Sequence, residues 1–170
     1  MKNFKLTILA AVLFGFLQNA NAQQLQGVEI NGVVWATTNI GATHPEDSGN
    51  LYILEDAQTA CPEGWRLPTE AEVLKLIYDK KVANKEKIQK GIKGKLLTDE
   101  ITGASIFLPV IGCTTLSGIP LENSEDKGYY WCTARSIMYI DLAFFSQRLH
   151  SSYGSDDGNQ LIFYVRCVAE

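Results

Sequence analysis

The sequence predicts an α+β domain whose strands form an antiparallel sheet. An Asn-Gly pair between two β-branched runs near the N-terminus predicts a hairpin, and a helix with one apolar side is expected near position 70. The second half of the chain consists of short runs rich in β-branched and aromatic residues. Because the helix and most of the strands are segregated along the chain, this pattern favours α+β over alternating α/β architecture.

The first 22 residues are expected to be a signal peptide that does not belong to the fold. Lys2 and Lys5 form a charged start, residues 6–17 are apolar, and Ala20-Asn21-Ala22 is a small-residue cleavage site. The apolar stretch is shorter than the roughly 20 residues that cross a bilayer. We therefore expect an exported protein, periplasmic, extracellular or at the cell surface, in which residues 23–170 form one domain without a transmembrane segment.

The charge of the chain excludes two classes of partner. Residues 1–22 contain two of the 15 Lys and Arg residues and none of the 19 acidic residues, so the formal charge changes from −4 to −6 when they are removed. Nucleic acids and anionic membranes bind basic surfaces, and neither is expected as a partner. The remaining chain is long enough to bury its own core, and we expect a monomer.

The expected hairpin opens the domain and spans Val28 to Trp35, with Asn31-Gly32 at its turn. Residues 39–50 are rich in glycine and acidic residues and predict a polar loop, in which His44 is expected to be solvated. Residues 55–60 can form a short helix. It must end where Pro62 follows, because the residue before a proline avoids the helical conformation.

The segment 61–69, Cys-Pro-Glu-Gly-Trp-Arg-Leu-Pro-Thr, predicts a rigid corner around which the domain is organised. Thr69 and Glu72 have the spacing of a capping box and predict a helix over residues 70–79. The apolar residues of this helix fall on one side, which must face a core. We interpret the tryptophan and arginine of the corner as structural residues, since a proline-rich corner before a capped helix needs no catalytic explanation.

A lysine-rich stretch follows the helix and is the one basic patch of the chain. We interpret it as a solvated face at helical spacing that ends near Gly91 and Gly94, and the alternative is a strip that contacts a glycan or another polyanion. Its lysines are Lys80, Lys81, Lys85, Lys87, Lys90, Lys93 and Lys95, and Lys75 lies just upstream on the helix.

The later part of the chain predicts strands at 96–97, 105–108, 110–114, 129–134, 140–146 and 160–168. The connections over residues 117–128 and 147–159 are longer than ordinary hairpin loops, and such loops are where binding residues concentrate. The candidate ligand-binding residues in them are Glu122, Asn123, Glu125, Asp126, Arg148, Tyr153, Asp156, Asp157 and Asn159. Acidic oxygens can bind calcium, but neither loop has a spacing that specifies such a site, so no metal and no cofactor is expected.

Four cysteines, Cys61, Cys113, Cys132 and Cys167, occur in this chain. In an exported protein they favour disulfides over a metal site or a nucleophile. No spacing is of the Cys-x-x-Cys kind that zinc and redox sites use. The sequence alone leaves all three pairings open.

Three separated segments resemble the Fibrobacter succinogenes major paralogous domain, which is found in exported proteins of Bacteroidetes. They are the opening at residues 30–41, Ile-Asn-Gly-Val-Val-Trp-Ala-Thr-Thr-Asn-Ile-Gly, the corner at 61–69, and the ending Val-Arg-Cys-Val at 165–168. Residues 108–112 and 129–133 fall in the expected order between them. The chain departs from the family in a shortened segment over 49–60 and in having cysteines at positions 113 and 132.

The resemblance implies a C-type lectin-like fold, with the chain termini in one small sheet and a long loop region that displays a binding surface. It also implies a disulfide between Cys61 and Cys167, which leaves Cys113 and Cys132 to each other. Both of these last two cysteines follow strand-like runs that flank one long loop, and antiparallel neighbours in a sheet come within bonding reach. The biochemical role of the family is poorly defined, so the resemblance implies a fold more than a function.

The function expected from these features is that of a non-enzymatic recognition module whose loops bind a glycan or a protein. Calcium-dependent sugar binding is disfavoured because the chain lacks the Glu-Pro-Asn, Gln-Pro-Asp and Trp-Asn-Asp sequences of sugar-binding lectins. An enzyme is one alternative. It is disfavoured because the chain has two histidines, His44 and His150, and lacks the Gly-x-Ser-x-Gly and His-Glu-x-x-His motifs.

The other alternative is a hypervariable display protein of a diversity-generating retroelement. The Val-Arg-Cys-Val ending resembles that of lectin-like targets of such elements. Residues 151–159 are of types that adenine mutagenesis of Asn codons yields, although the same composition describes any polar loop. A template repeat and a reverse transcriptase in the genomic neighbourhood would distinguish this alternative from the other two.

Overall fold

The computed structural model describes residues 24–120, 126–133, 137–141 and 160–170, the backbone alone in the case of 137–141. These residues form three small sheets and two helices, and most strand pairs are antiparallel. The α+β class is therefore confirmed. Among the described residues, no helix combines the length and the apolar character that crossing a membrane requires.

The first sheet brings together strands from the two ends of the domain. It contains β1 (Gly27–Ile30), β2 (Val33–Ala36), β4 (Trp65–Arg66) and β12 (Val168–Ala169), in the order β1-β2-β12-β4. The predicted hairpin is confirmed as β1 and β2. Asn31 and Gly32 at its turn have φ of 50° and 78°, which asparagine and glycine adopt more easily than other residues.

The lysine-rich stretch forms a β-hairpin, and the predicted helical face is wrong. The strands are β5 (Val82–Gln89), β6 (Ile92–Asp99) and β7 (Ser105–Pro109), paired in that order. Gly91 lies in the hairpin turn, where φ is positive. Lys85 and Lys87 are two residues apart and both exposed, so they share a face of the edge strand β5. Charges at this position oppose edge-to-edge pairing with another sheet.

The third sheet consists of one early strand and four strands that follow β7 in the chain. Its strands are β3 (Leu51–Tyr52), β8 (Thr114–Thr115), β9 (Lys127–Trp131), β10 (Ile137–Asp141) and β11 (Leu161–Tyr164). Strand β11 pairs antiparallel with β3 and β8, but it is parallel to β9, where Tyr164 is opposite Tyr130. The predicted antiparallel arrangement therefore holds for most pairs of this sheet and fails for one.

Most of the predicted strand runs overlap these strands. Residues 105–108 lie within β7, and the run at 160–168 is divided between β11 and β12. The run at 110–114 contributes only its last residue, to β8. Residues 142–146 of the run at 140–146 lie outside the described part of the chain.

The two helices are α1 (Leu54–Ala57), which is shorter than expected, and α2 (Glu70–Tyr78). The predicted capping box is present: Thr69 Oγ1 accepts a hydrogen bond from the Glu72 amide at 3.3 Å, and the Glu72 carboxylate accepts one from the Thr69 amide at 2.7 Å. Arg66 donates to both carboxylate oxygens of Glu72, at 2.8 and 2.6 Å. Within the corner, Trp65 and Arg66 therefore form strand β4, and Thr69 is the N-cap of α2.

Acid is expected to weaken the contribution of Glu72 to stability. The Arg66 guanidinium and the donors of Thr69 lower the pKa of Glu72 from 4.5 to about 2. Because the pKa is lower in the folded state, the stabilisation is present above pH 4.5 and is lost as the pH falls toward 2. Since Arg66 is partly solvated, we expect Glu72→Gln to cost about 1 kcal/mol at pH 7 and less at pH 2.5.

Urea unfolding of the wild type and the variant at both pH values measures this difference. Glu70→Gln is the matched control, because Glu70 lies in the same helical turn and is exposed. An equal cost of Glu72→Gln at both pH values would show that the ion pair contributes nothing to stability.

The disulfide between Cys61 and Cys167 is confirmed. Their Cα atoms are 6.0 Å apart, within the usual range for a disulfide. The bond connects the corner before β4 with the residue before β12, the two strands that pair with each other at one side of the first sheet.

The expected bond between Cys113 and Cys132 is absent, since both residues are reduced thiols in this structure and both are buried. The reason is the local strand direction. Gly112 and Gly128 face each other in a parallel bridge, so Cys113 is level with Tyr129. Cys132 lies three positions further along, about 10 Å at the rise of a strand, which exceeds the separation that a disulfide spans.

Arg166 lies between the sheets and is completely buried. Its guanidinium donates to Asn39 Oδ1 at 2.8 Å, to the Ala36 carbonyl at 2.9 Å and to the Phe107 carbonyl at 3.3 Å. Burial lowers its pKa to about 10. One side chain thus connects the last residue of β2 and the middle of β7 with the loop that follows β2, and its acceptors are neutral oxygens.

Candidate functional site

An open groove lies between β3, α1 and the loop that precedes β3. Its volume is about 730 Å³, which is within the range of small-ligand sites. The described residues that line it are Ser48, Gly49, Asn50, Leu51, Tyr52, Asp56, Thr59, Ala60 and Tyr164. We take this groove as the candidate site because it combines aromatic, amide, hydroxyl and carboxylate groups in one concave surface.

The β3 side of the groove is held by buried aromatic residues. Tyr52 is paired with Phe163 of β11, and its carbonyl accepts a hydrogen bond from Trp131 Nε1 at 2.7 Å. The rings of Trp131 and Phe163 are 4.7 Å apart between centroids. Since both anchors are buried, the backbone that presents the Tyr52 side chain is fixed before any ligand arrives.

The loop side of the groove is tied to the core through Asn39. This buried residue accepts from Arg166 through Oδ1 and donates from Nδ2 to the Ser48 carbonyl at 2.8 Å. Gly49 has φ of 71°, and a Cβ at this position would collide with the Ile40 carbonyl oxygen. A residue with a side chain would therefore displace this wall of the groove.

Glu46 attaches the same loop to the tip of the β5–β6 hairpin. Its carboxylate contacts Lys90 Nζ at 2.5 Å and accepts a hydrogen bond from Gln89 Nε2 at 2.8 Å. These contacts lower the pKa of Glu46 to about 2, so the carboxylate is ionised at neutral pH. The loop that forms one wall of the groove is thus clamped at Glu46 and again at residues 48–50.

Removing the Glu46 clamp is expected to loosen the loop without unfolding the domain. In Glu46→Ala, the amides of Asp47 and Asn50 should exchange with solvent several-fold faster than in the wild type, because their hydrogen bonds to His44 and Ile40 lose one of their supports. Exchange at the core amide of Val168 should not change. Hydrogen exchange measured by NMR tests this, and unchanged rates at residues 47 and 50 would contradict it.

The acidic residue that lines the groove, Asp56, lies on the α1 side. Asp56 and Thr59 are exposed, and the Thr59 hydroxyl donates to the Asp56 carbonyl at 3.4 Å. Of the nine described residues that line the groove, none is basic and one is acidic. The groove therefore offers oxygen acceptors, one carboxylate and two tyrosines to a ligand.

Tyr164 forms part of the groove and is almost completely buried. Burial raises the pKa of Tyr164, and a charge on Cys113 would raise it further. The hydroxyl therefore stays protonated at neutral pH.

The pKa values of Asp99, Asp47 and Cys113 are shifted by hydrogen bonds within the fold or by burial. Amide hydrogen bonds from Thr102, Asn31 and Ile101 lower the pKa of Asp99, and an amide hydrogen bond from His44 lowers that of Asp47. Burial raises the pKa of the Cys113 thiol to about 12. Each of these shifts moves the group away from neutral pH, the opposite of what general acid-base or thiolate chemistry requires.

One of the residues predicted from the sequence as ligand-binding lies in the described part of the chain. Asp126 is exposed, and its Oδ1 is 2.9 Å from Lys93 Nζ, an ion pair with both side chains more than half exposed. The other predicted residues lie outside the described residues: Glu122, Asn123, Glu125, Arg148, Tyr153, Asp156, Asp157 and Asn159.

The residues of the groove were not predicted as a site. Two signals pointed to this region, the polar composition of residues 39–50 and the shortened segment at 49–60, but neither identifies a cavity. The groove forms because Tyr164 of β11 lies beside β3, and that pairing follows from tertiary structure.

Comparisons with known proteins show no match to a protein-family model, to a curated protein or to a solved structure. Within residues 24–120, 126–133 and 160–170, no three His, Cys, Asp or Glu side chains are grouped so that they could hold a metal ion. The site is therefore described by its own geometry.

Proposed function

We propose that this protein is a non-enzymatic recognition module that acts outside the cytoplasm and binds a glycan or protein ligand. Its proposed binding residues lie in the groove between β3 and α1 and, as the sequence predicts, within residues 117–128 and 147–159. In this proposal the C-type lectin-like fold serves as a scaffold that displays these segments. The observation that carries the proposal is the groove itself, an open surface lined by polar and aromatic side chains. The rest of the domain, which the Cys61–Cys167 disulfide cross-links, is the frame that supports it.

The frame supports binding because it fixes both sides of the groove in advance. Trp131 holds the β3 side, and Asn39 and Glu46 hold the loop side. A site that is ordered before the ligand arrives loses less conformational entropy on binding. Tyrosine and amide side chains on such a frame are the kind that recognition surfaces use.

The titratable groups support binding over catalysis. The shifted acids accept hydrogen bonds or ion pairs within the fold, and the Cys113 thiol is buried with a raised pKa. None of these groups lines the groove, whose titratable residues are Tyr52, Asp56 and Tyr164.

A glycan array and a panel of immobilised proteins, probed with the purified oxidised protein, test this proposal. We expect binding to at least one ligand, with or without a chelator, and loss of binding in Tyr52→Ala. Tyr78→Ala is the matched control because Tyr78 is an exposed tyrosine on α2 and does not line the groove. The absence of any binding, or turnover of a bound ligand, would overturn the proposal.

A further inference from the structure

The segment that forms most of the groove contains acidic residues and no lysine or arginine. Residues 43–65 contain five acidic residues, Glu46, Asp47, Glu55, Asp56 and Glu63, and no lysine or arginine. These residues include the loop wall, β3 and α1, which form all of the groove except Tyr164. A ligand in the groove therefore meets no lysine or arginine in any of these elements, and none of the lining residues is basic.

Asp56 is the charged residue at the groove surface. Its backbone carbonyl accepts from the Thr59 amide and hydroxyl, which places Thr59 beside it. Its carboxylate is exposed and, in the part of the chain that the structure describes, takes part in no hydrogen bond or ion pair. The Glu46 carboxylate differs from that of Asp56, because it already contacts Lys90 and accepts a hydrogen bond from Gln89. Asp56 thus offers a carboxylate whose acceptor positions remain available to a ligand.

The two tyrosines of the groove can attract a cation, as the Asp56 carboxylate can. Tyrosine rings attract cations through their negative faces, and the attraction is stronger where water is partly excluded. Tyr164 is 6% exposed and Tyr52 is half-buried, and both line the groove, so water is partly excluded from their rings. The side-chain amide of Asn50 donates a hydrogen bond to the Tyr52 hydroxyl at 3.5 Å, and both groups are exposed to a ligand.

We propose that the groove binds an ammonium group, with the Asp56 carboxylate as its counter-ion and the tyrosines beside it. The inference rests on the proposed recognition function and specifies the chemistry of its ligand. An anionic ligand would meet a carboxylate with no basic partner among the lining residues. The ammonium group can belong to a lysine side chain of a protein or to an amino sugar, and these two sources share the same recognition chemistry.

Amide NMR titrations of the whole protein with matched ligands test the inference. Nα-acetyl-lysine amide is compared with Nα-acetyl-norleucine amide, which keeps the chain but lacks the ammonium group. Glucosamine is compared with N-acetylglucosamine for the same reason. We expect the ammonium member of at least one pair to shift the amide resonances of residues 50, 52 and 56, and the neutral member to have little effect. The pair that responds identifies the source.

Asp56→Asn is expected to weaken this binding about fivefold, the effect of losing an ion pair that remains in contact with solvent. Glu55→Gln is the matched control, because Glu55 is the exposed neighbour on α1, carries the same charge and does not line the groove. Binding should also weaken as ionic strength rises. The Asn variant is expected to fold, since the carboxylate supports no contact among the described residues, and an unchanged amide spectrum outside the groove confirms this.

The inference is overturned by any of the following results. Equal shifts with lysine and norleucine amides, equal affinity in Asp56→Asn, or equal weakening in both variants would show that the groove does not select the ammonium group through Asp56. Lack of response to both ammonium ligands overturns the inference alone if the array identifies a ligand whose binding depends on Tyr52. If the array and the protein panel also show no binding, the recognition function fails with it.

Discussion

Replacing Cys61 and Cys167 together by alanine is expected to lower the free energy of unfolding by about 4 to 5 kcal/mol. The bond closes a separation of 106 residues, and a cross-link over such a length removes much of the conformational entropy of the unfolded chain. It also connects the corner before β4 to the residue before β12. Urea denaturation of the double variant measures the loss.

Cys113→Ala is the control for this experiment, because Cys113 is buried but forms no disulfide. We expect it to cost about 1 kcal/mol, a typical effect of one small substitution. Peptide mapping without reduction should recover residues 61 and 167 in one linked peptide. Recovery of a linked peptide containing residues 113 and 132 would contradict the parallel register at Gly112 and Gly128.

Arg166→Met is expected to destabilise the domain by about 3 to 5 kcal/mol, because it removes the hydrogen bonds of Arg166 to three buried acceptors and removes buried volume. The acceptors are Asn39 Oδ1 and the carbonyls of Ala36 and Phe107. Asn39 also holds Ser48 at the groove. Ligand binding should therefore weaken in this variant even where the protein remains folded.

Arg66→Met is the matched control, since Arg66 has one acidic partner and its side chain is 38% exposed. It should cost about 1 kcal/mol or less, as solvated ion pairs do. If Arg166→Met does not fold, Asn39→Ala, expected to cost about 1 to 3 kcal/mol, tests the same network. Equal costs for the two arginine variants would mean that the buried hydrogen bonds of Arg166 add nothing beyond those of a solvated arginine.

The parts of the fold that could be predicted are those specified by short local patterns. The turn at Asn31 and Gly32 has the residues that favour positive φ, and the capping box at Thr69 and Glu72 needs only the two side chains that form it. Both were predicted, and both are present. The bond between Cys61 and Cys167 came from the resemblance, since the sequence itself allowed three pairings.

The parts that could not be predicted depend on partners distant in sequence. The β5–β6 hairpin turns at Lys90 and Gly91, a pair that is not among the usual hairpin turn signals. Its many lysines also obscure the alternation of polar and apolar residues that indicates a strand. Strands β3, β4 and β12 have two residues each, too few for any periodicity. The groove also depends on residues distant in sequence, because its β3 and β11 sides are more than 100 positions apart.

The central position of β12 also affects when the domain can fold. Val168 pairs with Trp35 and Arg66, so β2 and β4 are joined in the first sheet by a strand that is synthesised about 100 residues after β4. Folds that depend on pairs so distant in sequence have a high contact order and fold slowly. A ribosome-bound chain that lacks residue 168 cannot complete this sheet. We therefore expect the first sheet to form only after residue 168 has been synthesised.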